Sequence, residues 1–300
     1  MTALNEVLEF DPNLLVVLVL DLSIAMALLL ALRFLTGLLA SVNTTDELSQ
    51  KDNFAFGLEL AGAISALAIM LSGAIEGDVA RTLGYEALLM LSYGVLGVLL
   101  IKAGRVIQDQ LVLRQIAIKA EIMDGNLAVA TMDFGHVVSI AIIIRAVMIW
   151  VDSNTFVGLT VVLAGFVISQ IILMVTSRFR MMRYASRNPG KELMHALADG
   201  HLPLAIRYAG HMIGVALAVT AASHFVSFEP DYLWYSIGSW GVLSIILTLL
   251  LSVLNILSRK VILVKVNVVE EVDEQKNLGV AAVEGSIFIA LGILLAALMA

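Results

Sequence analysis

Eight apolar runs dominate this 300-residue chain, at 14–40, 54–75, 83–101, 127–151, 155–177, 202–226, 233–257 and 277–299. Each matches the roughly 20 residues an α-helix needs to cross a hydrocarbon core of about 30 Å. The lipid offers no hydrogen bonds, so a run of this length satisfies its own backbone as a helix. The expected fold is an all-α polytopic membrane protein with eight transmembrane helices. Composition agrees: 60% of the residues are hydrophobic and 14% charged, against about 45–50% and about 25% in soluble domains. A nucleic-acid binder, a secreted disulfide scaffold and a conventional cytosolic enzyme are excluded. The chain has no cysteine, which removes thiolate metal sites and thiol catalysis. Its net charge of −7 gives no reason to expect a polyanion partner.

The distribution of Lys and Arg sets an expected orientation. The loops after the first, third, fifth and seventh runs carry Lys51; Lys102, Arg105, Arg114 and Lys119; Arg178, Arg180, Arg183, Arg187 and Lys191; and Arg259, Lys260, Lys265 and Lys276. The termini and the remaining loops carry Arg81 alone. Both termini are therefore expected outside. Glu6, Glu9 and Asp11 precede the first run without a basic residue, so no cleavable signal peptide is expected.

The chain reads as a repeat. Asn126-Leu127-Ala128-Val129-Ala130-Thr131-Met132-Asp133 opens the fourth run, and Asn277-Leu278-Gly279-Val280-Ala281-Ala282-Val283-Glu284 opens the eighth. Ala61-Gly62 in the second run echoes Ala209-Gly210 in the sixth. Chance likeness between Ala/Val-rich helices is the competing explanation. The repeat reading gives two four-helix units, 1–151 and 152–300. Each has an even helix number, so the two are parallel, unlike the inverted repeats of many secondary transporters.

The stretch Ala120-Glu121-Ile122-Met123-Asp124-Gly125-Asn126-Leu127-Ala128-Val129-Ala130, with Asp52-Asn53 at the mouth of the second run, resembles the YjfL-like (DUF350) family of bacterial inner-membrane proteins, in two tandem copies. The second copy departs from the pattern at Val272-Asp273-Glu274-Gln275-Lys276, and His201 stands where Asn53 stands in the first. The resemblance implies a multi-pass protein linked to envelope-stress systems of the PspA type. It implies no chemistry.

A charge at the centre of a bilayer costs about 2.5–3.5 kcal/mol even on insertion scales, so intramembrane charges need a reason. At 1.5 Å per residue, Glu59, Asp133, Arg207 and Glu284 lie roughly 8–11 Å in from the basic ends of their helices. Arg33 and Gln170 fall at a similar depth. Asp133 with His136, and Arg207 with His211, each share a helix face. This polar layer is either a proton or cation relay or an ion-pair network that docks the two units. Asp21 and Arg145 lie near the outer surface, where they either pair as a structural salt bridge or leave Arg145 to snorkel outward.

Gly210 and Gly214 form a GxxxG stripe suited to close helix packing, and Trp234, Tyr235 and Trp240 suit an aromatic belt. Alternating β-branched residues at Val261–Val268 and Ile116–Ile122 suggest a small cytoplasmic β-element, with helical continuation as the rival. The basic run Arg178–Arg187 suits anionic lipid heads or an acidic partner. No GxxxxGK[ST] or HExxH motif occurs, so no enzyme activity, cofactor or metal is expected. Two functions remain. One is a component of an envelope-stress system that binds partners through basic cytoplasmic loops; the other is a channel or transporter for protons, cations or a small solute. The expected partners are the bilayer, a cytoplasmic stress-response protein and further copies of the chain.

Overall fold

The computed structural model describes residues 12–76, 82–112, 114, 116–151 and 156–299. The first eleven residues and Arg81, on which the signal-peptide and orientation readings partly rest, lie outside the described residues. Among the described residues eight long helices follow in order: α1 Pro12–Ala40, α2 Phe54–Ile75, α3 Leu83–Ile107, α4 Leu127–Trp150, α5 Phe156–Arg187, α6 Leu202–Ala222, α7 Leu233–Ile262 and α8 Leu278–Met299. All eight are long and apolar enough to span a bilayer. The outward faces of α1 and α7 carry large exposed side chains such as Leu22, Met26, Phe34, Ile245 and Leu249, as contact with lipid tails requires.

One local device starts every even-numbered helix. A short helical turn (Thr44–Ser49, Ile118–Met123, Leu193–Ala198 or the π-turn Glu270–Glu274) comes before it. Next, shortly before the helix, stands a residue in the left-handed region: Asp52, Gly125, Gly200 or Lys276, with φ of 49°, 85°, 75° and 55°. The next residue caps the helix. The side chains of Asn53, Asn126, His201 and Asn277 accept from Phe56, Val129, Leu204 and Val280 N–H respectively, which satisfies donors that a helix start leaves open. These caps recur about every 75 residues. Each four-helix half is thus a pair of helix hairpins.

The hairpins stack in two layers. Helices α2, α4, α6 and α8 lie side by side along their lengths in one layer, and α1, α3, α5 and α7 cover one face of it. The α4–α6 contact joins the two halves nearly as extensively as α2–α4 and α6–α8 join each half internally. Small residues permit this. A Cβ on Gly62 would stand 3.2 Å from Phe134 Cα, one on Gly135 2.5 Å from Ala209 Cα, and one on Gly210 2.5 Å from Gly285 Cα. Backbones approach this closely where lipid supplies no hydrophobic drive for association.

Three expectations change. No strand occurs among the described residues, so the β-element is replaced by helix and turn. Ile118 and Ile122, read as alternating strand positions, are also i,i+4 and bury one face of the helix Ile118–Met123. Val261 and Ile262 end α7, which, like α3 and α5, continues past its apolar run. Trp240 does not join the aromatic belt: it is buried, stacks on Trp150 at 5.9 Å and donates Nε1–H to Ser223 Oγ at 3.0 Å. Trp234 and Tyr235 are exposed as expected.

Gly210→Ala should destabilise the protein by about 1–3 kcal/mol, the usual cost of overpacking. Gly238→Ala, at a helical position with nothing within 4 Å of a new Cβ, should leave stability unchanged or raise it slightly. Thermal unfolding of both variants in the same detergent checks the contrast.

Candidate functional site

The register of the caps places charged groups at one level. Glu59 and Arg207 are the sixth residues after their caps, and Asp133 and Glu284 the seventh, about 10 Å along each helix. Two clusters form there, one in each half, near the end of the molecule that carries the short helices. That end is called the basic end below.

In the first half Arg105 of α3 bridges two acids. Its Nη1 lies 3.2 Å from Glu59 Oε1, and its Nη2 2.8 Å from Asp133 Oδ2 and 3.2 Å from the Glu59 carbonyl. In the second half Arg207 Nη1 lies 2.5 Å from Asp273 Oδ1 and its Nε 2.8 Å from Glu284 Oε2. Arg259 of α7 reaches Glu284 Oε1 at 2.8 Å. Arg105 and Arg259 therefore play matching parts, each carried by the helix before an acid-bearing even helix. Asp133 is 2% exposed and Glu284 fully buried, so each carboxylate depends on its arginines to offset desolvation.

The halves then diverge. Arg180, Arg183 and Arg187, on successive turns of α5, join Arg207 and Arg259 around a cavity of about 220 Å³. Glu284 is the only carboxylate among its lining residues; an adjoining cavity adds Asp273. Arg180 lies 4.7 Å over the Phe288 ring, and His211 packs edge-on to that ring at 4.2 Å. Arg180, Arg183 and Arg187 enter no ion pair among the described residues. His211 Nδ1 and Asn255 Oδ1, both buried and both lining the cavity, lack hydrogen-bond partners. The site is a recess rich in donors and in positive charge.

Other anticipated residues take separate places. His136 is buried on α4, one turn past Asp133, and forms no ion pair among the described residues. Gln170 is buried on α5 beside Gly104, next to the Arg105 cluster. Arg33 joins neither cluster. It is exposed on α1, and its long side chain reaches Thr45 Oγ1 at 3.2 Å. Asp21 and Arg145 do not pair: Arg145 bonds Ser72 Oγ of the adjacent α2 at 2.9 Å and also Glu76, the residue that follows that helix. Asp21 is buried with Oδ1 unpartnered. The run Arg178–Arg187 is the last part of α5 instead of a loop, and Arg178 bonds the Leu111 carbonyl at 2.5 Å.

Asn126 Nδ2 donates to Glu121 Oε2 at 2.8 Å and to the carbonyls of Leu197 and Ala198 at 3.1 and 2.8 Å. It thereby joins the two halves. Asn277 Nδ2 donates to Glu271 Oε2 at 2.8 Å. His201 Nε2 lies 3.3 Å from the Asp273 carbonyl, and burial holds this imidazole below its ordinary value, so its neutral form caps α6.

Arg105, Arg259 and Asp273 were missed as site residues because the apolar runs stop before them. The visible signal is an arginine shortly after the third and seventh runs, each followed by an acid on the next helix. Arg105→Met should destabilise by about 3–5 kcal/mol by leaving buried acid uncompensated. Adding Asp133→Asn should restore part of that loss. Thermal unfolding of the two variants tests this, and strictly additive losses would contradict the pairing.

A family model described as Domain of Unknown Function (DUF350) matches residues 10–148 and again 154–299. No curated protein and no solved structure matches the chain. With both matched segments spanning nearly its whole length, the chain belongs to the DUF350 family and carries two tandem copies of that domain.

Proposed function

We propose that this protein is a non-enzymatic component of a bacterial inner membrane that binds an acidic segment of a cytoplasmic partner in the arginine-lined recess of its second half. The basic end faces the cytoplasm in this reading, as the distribution of Lys and Arg favours. The carrying observation is the charge around the cavity: five arginines against one lining carboxylate. Guanidinium groups present paired donors that match carboxylates. The family resemblance points to an envelope-stress protein as the partner.

Conduction is the weaker reading. Asp133 and Glu284 are each closed by arginine, and a relay needs a carboxylate free to exchange its proton. The overall charge of −7 does not oppose an acidic partner, because a Debye length of about 8 Å makes the local field decisive.

A fluorescent hexaglutamate peptide, titrated against the protein in zwitterionic nanodiscs at low ionic strength, tests the proposal. Binding should weaken with added salt. Arg183→Gln combined with Arg187→Gln should weaken it by about tenfold, since a charged hydrogen bond contributes roughly 1.5–3 kcal/mol. Equal binding by the double variant and the unaltered protein would overturn the reading.

A further inference from the structure

The interlocks between hairpins follow one rule, and the rule leaves one cap without a turn to hold and one turn without a cap. Asn53 Nδ2 donates to the carbonyls of Ile122 and Met123, the last residues of the short helix before α4. Asn126 does the same to Leu197 and Ala198 before α6. His201 meets the Asp273 carbonyl in the turn before α8. Each cap thus holds the turn of the next hairpin. Asn277 has the same design, including the bond to its own preceding glutamate that Asn126 makes to Glu121, but among the described residues it reaches no turn of another hairpin. At the other end, Leu48 and Ser49 close the helix Thr44–Ser49 and are exposed. No cap side chain among the described residues reaches their carbonyls.

Helix packing obeys the same progression. The glycine nine residues past a cap meets the residue eight past the next: Gly62 with Phe134, Gly135 with Ala209, Gly210 with Gly285. The next terms are Ser286, nine past Asn277, and Ala61, eight past Asn53. Both are exposed. Around Ser286, α8 exposes Gly279, Ala282 and Ala290 together with Val283 and Ile293, while α2 exposes Ala68 between Phe54 and Ile75.

Burial follows the number of missing neighbours. In α4 and α6 78% of the most apolar window is buried, against 50% in α2 and 39% in α8. Continuing the array leaves α2 short of one neighbour, a preceding α8. It leaves α8 short of two, a following α2 and the α1 that would cover it as α3 covers α2.

We infer that copies of this chain assemble head to tail, the α8 end of one against the α2 end of the next, with Ser286 packed on Ala61 of the neighbouring copy and Asn277 clamping that copy's Leu48 and Ser49 carbonyls. The occupant is a second copy because the exposed ends complete a contact the chain already makes three times. Such an interface is heterologous and produces either a closed ring or an open array. The inference does not depend on the arginine recess.

The chain lacks cysteine, so engineered disulfides report the contact without background. In native membranes, Ser286→Cys mixed with Ala61→Cys should yield a cross-linked dimer under mild oxidant, and the variant carrying both cysteines a ladder of multimers. Each single variant alone should stay uncross-linked, which separates this interface from a two-fold dimer. A Ser286→Cys protein that cross-links to itself, or no product from the mixture, would overturn the inference. As a second readout, Ala61→Leu with Ser286→Leu should reduce the assembly to single copies by photobleaching-step counting in nanodiscs; an unchanged subunit count with retained thermal stability would equally overturn it.

Discussion

Every feature of this structure depends on how an even-numbered helix begins. A helix start leaves N–H donors unsatisfied, and here the capping side chain serves two tasks at once. Its acceptor atom closes its own helix, and in three of four cases its donor holds the turn that precedes the next even helix. Position along the membrane normal follows. Because each cap fixes a helix relative to the next, residues six or seven places on arrive at one depth. That is how charges on four separate helices form two compact clusters.

The clusters share a plan and differ in balance. A bridging arginine from the preceding odd helix meets an acid on α4 in one half and on α8 in the other. The first half completes its set with the acid Glu59, the second with the base Arg207. The end of α5 then adds three further arginines around the second cluster. The two tandem copies share this frame, and in the second it carries a donor-rich recess. The overall acidity of the chain conceals this, since the field within a recess reflects groups a few ångströms away.

Much of the frame was legible in the chain itself. Eight apolar runs correspond to eight helices because length and hydropathy alone decide spanning, and the Asn-to-acid spacing of seven located Asp133 and Glu284 correctly within their helices. The finer hairpin period was harder to see. Its four caps share only a position, with Asn, Asn, His and Asn preceded by Asp, Gly, Gly and Lys, and what unites them is backbone geometry. Arg145 was matched to Asp21 by depth alone, which ignores that α2, not α1, lies against α4. Arg105 and Arg259 were hidden because hydropathy ends a helix at its first charges, whereas α3 and α7 run on past them. The alternating isoleucines misled because two of them are also four apart, and the helical spacing prevailed.

The central claim is that the four even helices stand in single file. Lys51, Asp124, Asp199 and Gln275 each lie two residues before a cap and are exposed, so spin labels fit there; the label at Lys51 replaces its ion pair with the buried Glu47. Pulsed electron–electron distances measured from Lys51 to each of the other three, in samples diluted with unlabelled protein, test the arrangement directly. At about 8–10 Å per helix step, the mean distance should rise at every step and be greatest between Lys51 and Gln275. A Lys51–Gln275 distance as short as Lys51–Asp124 would mean that the chain closes on itself, and would contradict the account.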